Sequence, residues 1–211
     1  MSEYWFSNEW FELTARKSWD RLIPQIRPTK VLEVGSYEGA SACYLINSIA
    51  QHSALEIHCI DSWEGGAEHQ PDGAAASDMK AVEGRFTYNV QLAIDAVPNP
   101  VELVVHKESS DMALARLLAA GKRNYFDFVY IDGSHQAPDV LADAVLAFRL
   151  LRVGGLLAFD DYLWAEKLPY GKDPLRCPKP AIDAFVNLNF RRLNVVPASP
   201  QQVYVTKVAD D

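Results

Sequence analysis

The chain has 211 residues, 49% of them hydrophobic, which is enough for one sizeable core, so one domain spanning 1–211 is the default expectation. Its formal net charge of −8 and its scattered 20 Lys and Arg residues disfavour nucleic acid as a partner. Three cysteines are too few for a disulfide framework, the first residues lack the basic flank and apolar core of a signal peptide, and no apolar run approaches the ~20 residues of a membrane span. These observations predict a soluble, cytoplasmic protein with no membrane partner.

The first predicted element is an N-terminal helical segment over residues 1–28. Trp5, Phe6 and Trp10 begin an apolar series at largely helical spacing that ends before Pro28. The segment either packs on the domain or lies over the mouth of a ligand site. The same three aromatic residues form a homodimer face as readily as a lid.

Short runs rich in β-branched and aromatic residues alternate with amphipathic stretches along the rest of the chain. This alternation implies right-handed crossovers and a parallel sheet covered on both faces, which is the doubly wound α/β class. The link PASPQ is too short for a parallel crossover, so the last two strands should close a seven-stranded sheet as an antiparallel hairpin. The predicted strands are Lys30–Val34, Glu56–Ile60, Val101–His106, Phe126–Ile131, Leu156–Phe159, Arg192–Val196 and Gln202–Lys207, and the predicted helices cover 41–51, 78–96, 111–120, 137–151 and 181–188.

The stretch VLEVGSYEGASACYLI, residues 31–46, predicts a buried strand, a turn of small residues and a helix. Gly35 and Gly39 allow close backbone approach, and the helix N-terminus offers free amide groups to a ligand. A dinucleotide fingerprint requires glycine where Tyr37 stands, so a nicotinamide dehydrogenase is disfavoured. Glu33 places a carboxylate at the end of the strand, which suits a cationic ligand better than a pyrophosphate.

The second predicted strand ends at Asp61, within CIDSW. A carboxylate at this place can accept hydrogen bonds from both hydroxyls of a ribose, and Trp63 lies close enough to stack on a base. The alternative is that Asp61 caps the following turn. Taken with Gly35 and Gly39, Asp61 favours the binding of a nucleoside.

Three acidic residues follow the fourth and fifth predicted strands. Asp132 ends the fourth strand, and Asp160 and Asp161 end the fifth. Adjacent parallel strands bring such carboxylates to one edge of a sheet, where three anions together need a cation. Hard oxygen ligands suit Mg²⁺, or Mn²⁺ as a substitute, better than zinc. The alternative is that these acids are ordinary caps of turns.

Two histidines lie near the predicted site. His135 follows Asp132 by three residues, and near neutral pH it can take a hydroxyl proton within hydrogen-bond reach. A substrate-binding or capping role for His135 is the alternative. His69 lies in the loop Ala67–Ser77, which is long and small enough to be mobile, and from there it can reach a substrate.

Four motifs, VLEVGSYEGASA, IDSW, FDFVYIDGSH and GGLLAFDDY, resemble in order and spacing the class I S-adenosylmethionine-dependent methyltransferases. More narrowly, they resemble the metal-dependent small-molecule O-methyltransferases, such as catechol O-methyltransferase and several antibiotic-sugar O-methyltransferases. The resemblance covers residues 29–165, and the terminal hairpin matches the ending of that fold. It implies a Rossmann-like fold, S-adenosyl-L-methionine as cofactor, a divalent metal (Mg²⁺ or Mn²⁺), and methyl transfer to a hydroxyl oxygen of a small molecule.

The resemblance implies cofactor-binding roles position by position. The first motif and the start of its helix match the place where the family holds the methionine moiety. Asp61 matches the residue that binds the ribose, and Ser109 and Ser110 fall where the family contacts adenine, although Glu108 replaces the usual glycine there. The residues expected to bind the cofactor are therefore Glu33, Gly35, Tyr37, Gly39, Ser41, Asp61, Trp63, Ser109, Ser110 and Asp132.

The resemblance also implies the metal ligands and the base. The family holds its divalent metal at the positions of Asp132, Asp160 and Asp161, often with asparagine at the last of these. His135 stands where the catechol-type enzymes carry a lysine that acts as general base. His135 or Asp132 is therefore expected to accept the hydroxyl proton, while the metal lowers the pKa of the acceptor hydroxyl.

The acceptor is the part of the reaction that the sequence constrains least. Its pocket is expected to form from the N-terminal segment, the loop 67–77 and the substrate-side loop 162–180, where Trp164, Tyr170 and Arg176 can stack on a ring or pair with an anion. A sugar, a phenol and a polyketide hydroxyl all remain open as acceptors. The alternative functions are a metal-independent methyltransferase and a non-catalytic nucleoside-binding protein on the same fold.

Overall fold

The computed structural model describes residues 3–66, 69–70, 73, 75–166 and 168–210. Helices and strands alternate along this part of the chain from residue 30 to residue 159, as the sequence pattern predicts. The elements are α1 Trp10–Leu13, α2 Arg16–Ile26, β1 Lys30–Val34, α3 Ala40–Ile49, β2 Leu55–Ile60, α4 Met79–Asp95, β3 Val101–His106, α5 Ser110–Ala119, β4 Phe126–Ile131, α6 Ala137–Leu150, β5 Leu151–Phe159, a 3₁₀ turn Pro174–Arg176, α7 Lys179–Leu188, β6 Leu193–Val196 and β7 Val203–Lys207.

The seven strands form one sheet in the order β3-β2-β1-β4-β5-β7-β6. Strands β1 to β5 run parallel, and β7 pairs antiparallel with both β5 and β6. This arrangement confirms the predicted doubly wound, Rossmann-like α/β fold with an antiparallel C-terminal hairpin. The strand order reverses between β1 and β4, and in such sheets ligands bind beyond the carboxyl ends of the strands at that point.

The first part of β5 differs from the prediction. The sequence pattern places its start at Leu156, whereas the strand begins at Leu151. Between the pairs Phe126–Leu151 and Phe128–Leu156 the register with β4 shifts, so the strand contains an irregularity that includes Gly154 and Gly155. In a sequence, two consecutive glycines usually indicate a turn. Here they lie inside an irregular strand, because this segment pairs with β4 and such pairing is not visible in the sequence.

The N-terminal segment packs on the sheet through α2. Trp19 is fully buried, and its ring lies edge-on to the rings of Phe128 and Tyr130 in β4, at centroid distances of 5.2 and 4.8 Å. The packing interpretation therefore holds for this helix. Phe11 of α1 packs edge-on to the same Trp19 ring, at a centroid distance of 5.1 Å. No helix in the described part of the chain is long and apolar enough to cross a membrane.

A buried lysine ties the last strand to the rest of the sheet. Lys207 in β7 is 1% exposed, and its ammonium group donates to the side-chain oxygen of Asn124 at 2.7 Å. The same group donates to the main-chain oxygens of Phe148 at 3.0 Å and Leu151 at 2.8 Å, at the end of α6 and the start of β5. Lys207 therefore satisfies three oxygen atoms that would otherwise be buried without a donor.

We expect Lys207→Met to lower the free energy of unfolding by about 3 kcal/mol, because each buried acceptor left without a donor costs roughly 1–3 kcal/mol. Urea denaturation measures this change. Lys17→Met, at an exposed position of α2, is the matched control and should stay within about 0.5 kcal/mol of the unmodified chain. Equal effects of the two substitutions would contradict the structural role of Lys207.

Candidate active site

A cavity of about 800 Å³ opens at the carboxyl ends of the parallel strands. Residues that follow all five of these strands contribute to its wall, and so does the chain from Phe6 to Thr14. This volume lies within the range of small-molecule and cofactor sites, and the location is the switch point between β1 and β4. The cavity is therefore the candidate ligand site of the described chain.

The turn after β1 requires glycine at two positions, of which Gly35 lines the cavity and Gly39 is not among the described lining residues. Gly35 has φ +83°, and a Cβ atom there would lie 2.0 Å from the main-chain oxygen of Asp132. Gly39, at the start of α3, has φ +81°, and its Cβ atom would lie 2.9 Å from the side chain of Val90. No other residue fits at Gly35, because the backbone after β4 crosses so closely.

Glu33 supports the loop after β1 through buried hydrogen bonds. It is fully buried and accepts hydrogen bonds from the hydroxyl groups of Ser36 at 2.6 Å and Ser41 at 2.5 Å. Burial raises the pKa of this carboxyl, and the two serine hydroxyls oppose that shift. Among the described residues Ser36 and Ser41 line the cavity and Glu33 does not, so the carboxylate orients the hydroxyls instead of facing the ligand space.

Asp61 both lines the cavity and holds the loop. One carboxylate oxygen accepts from the main-chain N–H groups of Ser36 at 3.0 Å and Tyr37 at 2.9 Å, and the other accepts from that of Trp63 at 2.7 Å. Burial raises the pKa of Asp61, and these N–H groups oppose the shift. A carboxylate oxygen accepts about two hydrogen bonds, so one place for a ligand hydroxyl is left. The capping role and a ligand-binding role are thus compatible.

Trp63 lies in the core below the loop. It is 6% exposed, its indole N–H donates to the main-chain oxygen of Tyr37 at 2.9 Å, and its ring contacts that of Phe86 at 4.9 Å. It is not among the described residues that line the cavity. The expectation that Trp63 stacks on a base therefore finds no support in this placement, since the turn after β2 directs the indole inward.

The loop between β3 and α5 supplies another wall. Glu108, Ser109, Ser110 and Asp111 all line the cavity, which places the two serines expected near adenine against the ligand space. The Ser109 hydroxyl donates to the carboxylate of Asp111 at 2.5 Å. Glu108, which stands in place of a glycine, forms an exposed ion pair with Arg116 at 2.8 Å.

Three neighbouring groups share protons at the ends of β4 and β5. The buried hydroxyl of Tyr130 donates to Asp132, at 3.0 Å, and to Asp160, which also accepts from the Gln202 amide at 3.0 Å. Burial and the charges of Asp160 and Asp161 raise the pKa of Asp132 well above its ordinary value. Burial and Asp161 raise the pKa of Asp160 to about 6. One phenolic proton serves two carboxylates, and the raised pKa values of Asp132 and Asp160 mean that repulsion and burial make this group take up protons more readily than isolated carboxyls do.

His135 pairs with the third acid. Its Nε2 atom lies 2.8 Å from a carboxylate oxygen of Asp161, and its ring stacks on the indole of Trp164 with centroids 4.0 Å apart. Asp161 has φ 54°, a left-handed backbone conformation that is uncommon for a residue other than glycine. All three residues line the cavity. An imidazole held between a carboxylate and an aromatic face is fixed in orientation, as a general base requires.

The donor atoms at the ends of β4 and β5 suit a divalent metal. Asp132, Asp160 and Asp161 offer only oxygen, and their mutual repulsion is the kind that a hard cation relieves. As the side chains are placed, Tyr130 engages two of these acids and His135 engages the third. The residues described here contain no group of three or more His, Cys, Asp or Glu side chains arranged to hold a metal. The oxygen donors therefore suit a divalent metal, but the side chains as placed are paired with Tyr130 and His135 and are not arranged as a coordination site.

The chain before α2 covers part of the cavity and is fastened by Asn89 and Glu38. Asn89, in α4, exchanges hydrogen bonds with the main chain of Trp5 at 2.7 and 3.0 Å. Glu38 accepts from the main-chain N–H of Ser7 at 2.6 Å, from its hydroxyl at 2.7 Å and from Arg85 at 2.5 Å. These contacts support the lid interpretation for residues 6–14. Neither Glu38 nor Asn89 was marked by the sequence, because their partners lie far along the chain.

Aromatic side chains line another part of the cavity wall. The ring of Tyr37 lies between those of Trp10 and His69, at centroid distances of 5.4 and 5.3 Å. Trp164 lines the cavity. Tyr170, which is 72% exposed, and Arg176, which pairs with Glu166 at 2.7 Å, are not among the described lining residues. The expectations for residues 67, 68, 71, 72, 74 and 167 lie outside the described residues.

The chain is similar to known proteins in sequence and in fold. Residues 32–162 match the family model described as a methyltransferase domain. The "Probable caffeoyl-CoA O-methyltransferase 3" of Dictyostelium discoideum is 23% identical over 184 residues, which cover 82% of this chain and 63% of that protein. The chain therefore spans slightly less than two thirds of the length of this relative.

Two solved structures illustrate the likeness of the fold. The O-methyltransferase TomG of Streptomyces achromogenes, solved with S-adenosylmethionine, has a TM-score of 0.63 and 16% identity, with 99% of this chain and 84% of that chain covered. The O-methyltransferase of Bacillus cereus, solved with S-adenosylhomocysteine, has a TM-score of 0.60 and 18% identity, with 98% and 84% covered. At these identities the likeness establishes the fold alone. Because the matched residues 32–162 make up more than half of the 211 residues, the chain belongs to the methyltransferase domain family.

Proposed function

We propose that the protein is an S-adenosylmethionine-dependent O-methyltransferase that acts on a hydroxyl oxygen of a small molecule. One cavity contains a part suited to a nucleoside, at Gly35 and Asp61, and a part suited to acid–base chemistry, at His135 and Asp161. This combination is the observation that carries the proposal. The O-methyltransferase names of the relative and of the two structural neighbours support it. The cofactor supplies an electrophilic methyl group on a sulfonium centre.

The chain's own residues bind and orient the reactants. Ser41 and Tyr37 line the wall next to the glycine turn, so they suit the amino-acid end of the cofactor, and Asp61 has one place for a ribose hydroxyl. Ser109 and Ser110 line the wall for the base. The lid residues 6–14 exclude water from this side. Orientation is the main contribution of such a site, and model reactions credit it with roughly 7–11 kcal/mol at best.

His135 is the proposed general base. The imidazole would take the proton of the acceptor hydroxyl, and Asp161, 2.8 Å away, would stabilise the resulting imidazolium. Trp164 holds the ring in place by stacking and offers an aromatic surface next to the base. This wall favours an acceptor with an aromatic or otherwise flat apolar part.

A divalent cation, Mg²⁺ or Mn²⁺, is the second part of the proposal. Asp132, Asp160 and Asp161 would hold it, and the cation would lower the pKa of the acceptor hydroxyl. The mutual repulsion of Asp132, Asp160 and Asp161, which contributes to the raised pKa values of the first two, supports this assignment. The His135–Asp161 pair favours the alternative of a metal-independent methyltransferase, because it gives the base its own partner.

We expect the unmodified chain to bind S-adenosylmethionine and Asp61→Asn to bind it about 10- to 100-fold more weakly, because a hydrogen bond to a charged group contributes roughly 1.5–3 kcal/mol. Isothermal titration calorimetry measures the affinities, and thermal unfolding shows whether the loop that Asp61 holds is intact. Asp95→Asn, at an exposed position of α4, is the matched control. No binding of S-adenosylmethionine or S-adenosylhomocysteine to the unmodified chain would overturn the proposal.

We expect His135→Gln to lower kcat by about 10²- to 10⁴-fold while the affinity for S-adenosylmethionine stays unchanged, because the variant removes a base and not a cofactor contact. The assay follows formation of S-adenosylhomocysteine with an acceptor selected from a panel of phenols and sugars. His52→Gln, an exposed histidine after α3, is the control. Full activity of His135→Gln would exclude this residue as the base.

We expect Mg²⁺ or Mn²⁺ to raise the unfolding temperature of the unmodified chain and to leave that of Asp160→Asn unchanged, because the amide removes one anionic ligand. Differential scanning fluorimetry measures the shift at millimolar cation, with Asp95→Asn as control. Activity that survives EDTA, together with an inactive His135→Gln, would favour the metal-independent alternative.

A further inference from the structure

A network of hydrogen bonds connects the acids at the ends of β4 and β5 with β7. The hydroxyl of Tyr204 donates to the side-chain oxygen of Gln202, and the amide of Gln202 donates to Asp160 at 3.0 Å. The hydroxyl of Tyr130 donates to the same carboxylate oxygen of Asp160, and to Asp132 at 3.0 Å. Tyr130 and Tyr204 are 1% exposed, and Gln202 is 3% exposed. Two neighbouring carboxylates are thus joined by buried, uncharged donors.

Asp160 has little capacity left for a further contact. One of its oxygens accepts from both Tyr130 and Gln202, and the other accepts from the main-chain N–H of Asp161 at 2.8 Å. A carboxylate oxygen accepts about two hydrogen bonds, so contacts with described residues fill the first oxygen and half of the second. A divalent cation that binds through Asp160 therefore has to use the remaining place or displace a donor.

The hydroxyl of Tyr130 contacts both acids and is held there by the core. The ring of Tyr130 packs edge-on to the buried ring of Trp19, at a centroid distance of 4.8 Å, which fixes the position of the hydroxyl. A single oxygen atom that contacts both carboxylates occupies the bridging position that a cation shared by Asp132 and Asp160 would also need. The phenol and such a cation therefore compete for the same carboxylate oxygens.

We propose that Tyr130 is a positioning residue that holds Asp132 and Asp160 in place of a divalent cation and thereby weakens the binding of such a cation at this edge of the sheet. This inference rests on the cation part of the proposed function. Tyr130→Phe keeps the ring in the core and removes the donor, so carboxylate oxygens become available and their repulsion favours a hard cation. The opposite role is that of a donor that orients metal ligands, whose loss weakens metal binding by about 10- to 100-fold. The direction of the change in affinity distinguishes the two roles.

The test measures Mn²⁺ binding to the metal-free chain by electron paramagnetic resonance, which detects the free ion, at pH 7.5 with and without S-adenosylhomocysteine. We expect Tyr130→Phe to bind Mn²⁺ at least about 10-fold more tightly than the unmodified chain, which is the change in affinity that corresponds to one hydrogen bond to a charged group. Tyr125→Phe is the matched control, because it removes a phenol that donates to the carboxylate of Glu56 at 2.6 Å, and neither residue is among the described lining residues. It should leave the affinity for Mn²⁺ unchanged.

Thermal unfolding supplies a second readout. Without metal, Tyr130→Phe should unfold about 4 °C or more below the unmodified chain, because the two carboxylates lose their shared donor. Millimolar Mn²⁺ should raise the unfolding temperature of Tyr130→Phe more than that of the unmodified chain, since tighter binding stabilises more at the same concentration. Gln202→Met removes the other side-chain donor to Asp160 and should also bind Mn²⁺ more tightly, which keeps the inference testable if Tyr130→Phe does not fold.

The outcomes separate this inference from the proposed function. Equal or weaker Mn²⁺ binding by Tyr130→Phe overturns the inference alone, and so does an equal gain in Tyr125→Phe. No Mn²⁺ binding by either the unmodified chain or Tyr130→Phe overturns the inference together with the cation part of the proposed function. Binding of S-adenosylhomocysteine, measured by calorimetry on the same samples, tests the methyltransferase proposal independently of the cation.

Discussion

Buried acidic side chains without cationic partners at the carboxyl edge of the sheet are the constraint on which the site depends. Each of these acids is contacted by hydroxyls, amides or main-chain N–H groups, and none forms a salt bridge with lysine or arginine in the described chain. Such carboxylates are destabilising unless a ligand completes their surroundings. They are Glu33, Asp61, Asp132, Asp143 and Asp160.

The rest of the molecule supplies the stability that this edge lacks. The inner parallel strands β2, β1, β4 and β5 are largely buried between helical layers, and apolar clusters fill both faces of the sheet. Cations are used where they stabilise structure: Lys207 satisfies main-chain oxygens between β7 and β5, and Arg85 pairs with Glu38 under the N-terminal chain. The separation of paired charges in the scaffold from unpaired charges at the site is typical of proteins that trade stability for binding.

Local patterns were enough for the fold. Strands β1, β3 and β4 were predicted to the residue, because β-branched runs and the turns that bound them are local features. Gly35 was also marked correctly as a point of close approach, although the partner, the main chain at Asp132, is visible only in three dimensions. The sequence placed the acids at strand ends, since parallel strands share a carboxyl edge.

The roles of individual side chains were harder to predict. Trp63 is near Asp61 in sequence and yet points into the core, because the direction of a side chain in a turn depends on the turn's own hydrogen bonds. Glu33 faces two serines and not the ligand space. Asp143 carries no motif: it lies inside an amphipathic helix, and only the structure shows that its carboxyl group is buried beside Ser110 at the start of α5.

The two ends of the cavity would act on different quantities in the proposed reaction. Methyl transfer converts a cationic sulfonium into a neutral thioether, so the negative charge at the edge of the sheet favours the reactive cofactor over its product and promotes exchange of one for the other. Contacts with the adenosine part of the cofactor would be the same before and after transfer. They would therefore contribute equally to the ground state and the transition state, and their loss would change KM while leaving kcat unchanged. In the proposed reaction, recognition of the cofactor and proton transfer at His135 thus depend on different residues.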